Sequence, residues 1–381
     1  MSGEERERLP HGPGLVDSVR AALNGVLGER LAGRFSALTG EMSCSHEGEV
    51  LQLGGDDPLL PDATGHVCVL AHALMTHEGS WQFESDGGAT DYGRLLQRDF
   101  GMTPVYVRYN TGRALSANGA ELDVVLEHLV ARWPVRVEAI TLIGHSMGGL
   151  VIRAAFRTSR RARRQAREAT GLGAAARSGR RWRGRVRQVV LLGAPNTGAW
   201  GSQLSGSLAD WLVTFGLPSG VAAAFTGSSE GMRELRHGLV DDRRGWRRVL
   251  RLRRRELPRQ ARLLLMAASI RDPQHLLSRF MGDGLVASAS ALGHAGTDRQ
   301  RLTFRDAEMR TVANHGHRSL ATSPEVYEEI RAWLSTSFLD TSAPGIRRHT
   351  CRERGVRRWR AGGRPGAGAA NPGSRAGGRS A

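Results

Sequence analysis

Apolar residues fall into two alternating rhythms along this chain. HVCVLA at 66–71, TPVYVRY at 103–109, a run over 137–143, VRQVVLL at 186–192 and ARLLLMAAS at 261–269 are short and apolar almost throughout. Such runs predict strands buried on both faces. Between and after them, DYGRLLQRDF at 91–100, residues 117–133, a segment starting just after Ser146 and PEVYEEIRAWL at 324–334 carry helical spacing. Strands alternating with helices predict a mostly parallel central sheet with helices on both faces. Upstream, Leu15, Val16, Val19, Ala22, Leu23, Val26, Leu27 and Leu31 predict an amphipathic helix over 15–32, a packed accessory element more than a membrane anchor. EVLQL at 49–53 reads as a further short strand.

Three stretches break this rhythm. Residues 157–187 are rich in Arg, Ala and Gly and read as a mobile surface insertion. Residues 196–258 separate two strands by more than a simple crossover needs and read as a cap. Residues 341–381 are Arg, Gly, Pro and Ala with few apolar groups, the composition of a disordered tail. The expected organisation is an N-terminal helical accessory segment over 1–60, an α/β domain over 61–340 containing the insertion and the cap, and the tail.

At 381 residues and 40% hydrophobic content the chain can bury a sizeable core. No stretch reaches the about 20 apolar residues of a membrane-spanning helix. The opening MSGEERERLPHGPG is charged and Pro/Gly-rich, unlike a secretory signal, so a cytoplasmic location is expected. Cys44, Cys68 and Cys351 are scattered, which predicts neither a disulfide framework nor a metal-ligand set.

The net charge of +17 changes this picture less than its size suggests. Residues 153–187 hold thirteen Arg and one Glu (+12), and 344–381 hold ten Arg and one Glu (+9). Together they carry +21, which leaves the rest of the chain at −4. The basicity is local, and all 54 basic residues are Arg. A nucleic-acid surface is therefore disfavoured, and weak attraction to anionic membranes is the better reading of those segments.

The candidate chemistry starts from G-x-S-x-G, which occurs twice, at Gly144-His145-Ser146-Met147-Gly148 and Gly227-Ser228-Ser229-Glu230-Gly231. A nucleophilic serine of this pattern sits on a sharp turn between a buried strand and a helix. Ser146 has Val137, Ile140, Leu142 and Ile143 before it and an apolar helix after it; Ser229 lies in the cap. A serine also needs a histidine to take its proton and a carboxylate to orient that histidine. Asp283, between two glycines ahead of Leu285-Val286, is the better acid than Asp272, whose Asp-Pro pair is turn chemistry. His315 and His317 both precede the last helix and both stay open as the base. Backbone N–H groups of Met147 and of the 72–75 turn, most plausibly Leu74, would stabilise an oxyanion.

The segments VLAHALM, DYGRLLQRDFG, PVYVRYNTGRALSANG, LIGHSMGGLV, LLGAPNTGA, GDGLVASASALG and HRSLATSPEVY resemble bacterial α/β-hydrolases. They are similar to the lipase and esterase-like proteins grouped with the inositol-deacylase (PGAP1-like) hydrolases, over about residues 15–338. The resemblance implies an α/β-hydrolase fold, Ser146 as nucleophile and Asp283 as acid. It also implies His317 as base, since the family's histidine stands seven residues before the Pro of a PxVY helix start, here Pro324. The implied activity is hydrolysis of hydrophobic carboxylic esters through an acyl-enzyme, without metal or organic cofactor. Acyl transfer by the same residues, and a non-catalytic lipid- or membrane-associated role, are the alternatives. This chain departs from the family at His72-Ala73, where His-Gly is usual, and at Asn196, where a histidine is usual.

Overall fold

The computed structural model describes residues 41–52, 60, 62–85, 87–170, 181–196, 257–258, 260–270, 283, 286–293 and 307–340, with backbone alone for 160–170 and 337–340. The helix expected over 15–32, nearly all of the cap, Asp272, Ser229 and the 341–381 tail lie outside them. The chain divides into two units, Met1–Thr336 and Ser337–Ala381, and the sheet belongs to the first.

Ten strands are described: β1 (Ser43–His46), β2 (Glu49–Val50), β3 (His66–Ala71), β4 (Gln82–Ser85), β5 (Gly88–Asp91), β6 (Thr103–Arg108), β7 (Ala139–His145), β8 (Val186–Leu192), β9 (Arg262–Ser269) and β10 (Ala307–Ala313). The helices are α1 (Tyr92–Phe100), α2 (Leu115–Arg132), α3 (Met147–Thr170), α4 (Arg181–Arg185), α5 (Ser288–Ala291) and α6 (Pro324–Asp340). Eight strands form one sheet in the order β10-β9-β8-β7-β3-β6-β1-β2. The run from β6 to β10 is parallel, while β1 and β2 join antiparallel at one edge. β4 and β5 form a separate hairpin.

The apolar runs are continuous because each strand is covered twice. Val67, Val69, Val105, Val107, Ile140, Leu142, Val189, Leu191, Leu263 and Leu265, which alternate along their strands, join one core with Leu122, Leu126 and Leu129 of α2 and Leu150, Val151 and Ala154 of α3. The intervening residues, among them Leu70, Ile143, Val190, Leu192 and Leu264, are buried too. α1 and α6 meet through the Tyr92 and Tyr327 rings, and α6 reaches β9 and β10 through Trp333, which packs under Arg262 and donates to Glu308.

Two findings alter the expected organisation. The sheet begins at Ser43, inside the segment set apart as 1–60, because β1 pairs with β6 and β2 with β1. The Arg-rich stretch is helical to Thr170 and anchored again at Trp182, which is fully buried against Phe156 and donates from Nε1 to Asp123. An arginine-rich composition hides this, since one tryptophan supplies the anchor. Among the described residues no helix is long and apolar enough to cross a membrane.

Candidate active site

From β3 the chain crosses to β6 on one side and then returns to β7 on the other, so the strand order reverses between them. At such a reversal the loops beyond the strand ends diverge and leave a crevice. Ser146 stands there, between the last residue of β7 and the first of α3. Its φ is +54°, a left-handed conformation that costs a non-glycine residue about 1–2 kcal/mol. Its N–H donates to the Leu192 carbonyl at 2.8 Å, and its carbonyl accepts from Gly149 N–H at 3.1 Å. The turn is also packed tightly against the neighbouring strand. A Cβ on Gly148 would lie 2.2 Å from the Ala71 oxygen and 2.6 Å from the His72 oxygen, so no side chain fits.

Asp283 and His317 come from the loops that follow β9 and β10, and they meet at 2.6 Å through Oδ2 and Nδ1. Both are buried. A carboxylate can only accept, so Nδ1 is the donor of this bond. Asp283 is itself held, since its Oδ1 accepts from Val286 N–H at 2.7 Å and its carbonyl from His317 N–H at 3.1 Å. His317 lies beside the serine turn: its ring centroid is 4.9 Å from that of His145, and its carbonyl meets His145 Nε2 at 2.9 Å. Among the described residues no hydrogen bond joins Ser146 Oγ to the His317 ring. In proteins without bound substrate such contacts are often long.

His315 is placed otherwise. Its Nδ1 meets the Ala313 carbonyl at 2.7 Å and its Nε2 the Ser323 hydroxyl at 2.9 Å, so both nitrogens are taken up in holding the loop against the start of α6. Tyr92 of α1 completes that anchorage by donating to the Ser323 and Leu320 carbonyls.

The turn after β3 is braced from β6. His72 is fully buried and stacks on Tyr109 with centroids 4.3 Å apart. Its Nδ1 meets the Ala73 carbonyl at 2.8 Å, its Nε2 accepts from Tyr109 N–H, and Tyr109 Oη donates to its carbonyl. Met75 N–H donates to Thr111 Oγ1 at 3.1 Å. Burial pushes the His72 imidazole down to about 4, so the ring is neutral at neutral pH. His145 is pushed further, to about 3, by burial and then by His317 beside it. Below the turn, burial opposes ionisation of Glu78, yet its bond to the Arg108 guanidinium holds the carboxyl below its usual range. Among the described residues no group of three His, Cys, Asp or Glu side chains could hold a metal ion.

A sequence model of the alpha/beta hydrolase family matches residues 49–330, from β2 to the middle of α6. The chain belongs to that family. Solved structures similar to this alpha/beta hydrolase include the mature lipase BlEst2 of Bacillus licheniformis, at 15% identity and TM-score 0.44 over 73% of this chain and 94% of that one. A thermophilic esterase from Thermogutta terrifontis matches at 15% identity and TM-score 0.39, over 72% and 91% of the two chains. The esterase RhEst1 of Rhodococcus sp. ECU1013 matches at 14% identity and TM-score 0.38, over 72% and 92%. No curated protein sequence matches this alpha/beta hydrolase.

Both departures of this alpha/beta hydrolase have a physical setting. Ala73 does not adopt a positive φ, so its methyl group meets no backbone penalty, and its carbonyl is the acceptor that ties down the turn. Asn196 is fully buried; it accepts from Arg153 Nη1 at 3.1 Å through Oδ1 and donates from Nδ2 to the Ala291 carbonyl at 2.7 Å. It thereby links α3, the helix that follows Ser146, to α5, just beyond Asp283. Sequence reasoning also gave no role to Gly193 or His145. Gly193 has φ +56°, and a Cβ there would come within 2.7 Å of Leu320 Cδ1, 3.1 Å of His317 Cε1 and 3.2 Å of Asp283 Oδ2. The Gly in LLGAPNTG was visible; that it abuts the His-Asp pair was not.

Proposed function

We propose that this alpha/beta hydrolase is a serine esterase that cleaves carboxylic esters of hydrophobic acyl groups through an acyl-enzyme. The observation that carries the reading is the buried Asp283–His317 pair, 2.6 Å apart, beside a serine in a left-handed turn. His317 Nε2 takes the Ser146 proton as Oγ bonds to the ester carbonyl carbon. The imidazolium that forms is stabilised by Asp283 and then gives that proton to the departing alcohol. Water enters the same place and loses a proton to Nε2 as its oxygen bonds to the acyl carbon. The imidazolium then returns that proton to Ser146 Oγ as the acyl–Oγ bond breaks and the carboxylic acid leaves.

The negative oxygen formed in each half would be met by the N–H groups of Met147 and Leu74. Leu74 is fully buried, and among the described residues nothing accepts a hydrogen bond from its N–H, which suits a donor reserved for an oxyanion. The kinship to inositol-deacylase-like hydrolases rests on the GHSMGG and GDGLV segments, and with it the preference for lipid-like esters. Weak membrane attraction would rest on the two Arg-rich segments, 153–187 and 344–381, the second of which lies outside the described residues.

The test combines a fluorophosphonate probe with p-nitrophenyl esters of graded chain length. Ser146→Ala should lose the label and reduce turnover by about 10³-fold or more while circular dichroism stays unchanged. Retained turnover in Ser146→Ala, with loss in Ser229→Ala, would overturn the assignment.

A further inference from the structure

His145 occupies a position that the G-x-S-x-G pattern leaves open to any residue, yet its side chain has a specific partner. Its Nε2 lies 2.9 Å from the backbone carbonyl of His317, and a carbonyl only accepts, so the ring donates. The donor is therefore the neutral ring carrying its proton on Nε2. Its other surroundings are the Trp81 ring at 6.2 Å, edge to face, and the His317 ring at 4.9 Å. His145 also precedes Ser146 directly, so the bond spans from the strained serine turn to the loop bearing the imidazole. That loop is otherwise held from the far side, through Asp283, Ser269 and Tyr92. Among the described residues, no other polar contact runs from the β7–α3 turn to His317.

We infer that His145 is a positioning residue: its Nε2–H fixes the His317 backbone relative to Ser146 and so sets the distance over which the serine proton travels. The inference rests on the proposed roles of Ser146 and His317 and adds the element that holds them in register. Three substitutions separate the hydrogen bond from mere filling of space. His145→Gln puts an amide N–H close to the place of Nε2. His145→Asn keeps an amide but is one methylene too short to reach. His145→Leu keeps much of the volume and removes the donor.

In ester hydrolysis, His145→Leu and His145→Asn should lower kcat by about 10-fold to 100-fold, the scale of a misplaced reacting group, with KM nearly unchanged. His145→Gln should recover most of the wild-type kcat. A second readout needs no turnover: the His317 Nδ1–H in its short bond to Asp283 should give a downfield proton resonance. That signal should stay sharp in the wild type and in His145→Gln, and broaden in the Asn and Leu variants as the loop loosens. A wild-type kcat and an unchanged resonance in His145→Leu would overturn the inference, as would equal damage in all three variants. Absence of ester turnover in the wild type would count against the proposed function alone, since the resonance still tests the tie. Should His145→Leu fail to fold, the contrast between Gln and Asn decides.

Discussion

The serine turn and the Asp283–His317 pair face each other across the same crevice but are held by different means. Residues 139–149 fix the serine almost entirely through backbone, with a strand ending, a left-handed residue and a glycine pressed onto the Ala71 oxygen. Asp283 and His317 are 34 residues apart and are held by side chains: the carboxylate on the ring, His315 on Ser323, Tyr92 on the following carbonyls. One side is local and rigid by sterics, and the other is assembled by directional bonds. Sterically fixed geometry fails abruptly when volume is added. Bonded geometry fails by degrees as donors are removed.

The largest expected effect contrasts the two histidines of the second side. His317→Ala should lower turnover by about 10³-fold, as loss of a triad base does. His315→Ala removes only loop anchorage and should cost far less in kcat while lowering the melting temperature. Steady-state kinetics on one short-chain ester, with circular dichroism of both variants, would check this. A profound loss in His315→Ala beside a near-normal His317→Ala would reverse the roles.

Adding one methyl group to each side comes next. Gly148→Ala drives a Cβ into backbone oxygens that cannot move aside, which should cost about 3 kcal/mol or more of stability, at the upper end of overpacking. Gly193→Ala pays a left-handed backbone penalty of about 1–2 kcal/mol but meets chiefly the movable Leu320 side chain. It should therefore fold, with kcat reduced through its contact with His317. Chemical denaturation would rank the pair, and equal losses would show that both sides yield alike.

Acid has the smallest effect per step and touches both sides of the crevice. His72 and His145 have folded values near 4 and 3, below the ordinary 6.5, so the unfolded chain takes up their protons first. Stability is then complete above pH about 6.5 and falls with decreasing pH, by about 1.4 kcal/mol per unit for each ring, until the folded values are reached. Melting temperatures at pH 7, 6 and 5 would follow the loss. His72→Gln should make the profile shallower, and an unchanged slope in that variant would remove His72 from the account.

The same contrast governs what could be read from the sequence. The central strands were legible because double burial makes them continuous apolar runs, and Ser146 because its whole setting is contiguous. β10 was not, since its residues are mostly half-buried or exposed at a sheet edge and give no clear run. The hairpin β4–β5 stands outside the main sheet and carries as little signal. For the base, residue type left His315 and His317 open, and only the family resemblance, with its histidine seven residues before Pro324, favoured His317. Only coordinates reveal that His315 has both nitrogens engaged. His145 and Gly193 meet partners far downstream, the His317 carbonyl 172 positions on and the Leu320, His317 and Asp283 side chains respectively, and no local pattern reports such contacts.

The edge position of β10 has a consequence for how the molecule comes into being. During synthesis β3, β6, β7 and β8 leave the ribosome first, and the serine turn can form once those strands have paired. Among the described residues β10 pairs with β9 alone, and His317 follows it by four residues. Any chain interrupted before that point carries the bent serine without the His317 ring. Under the proposed function, the complete reacting set then arrives only after β10 has been made, so an interrupted chain would lack turnover.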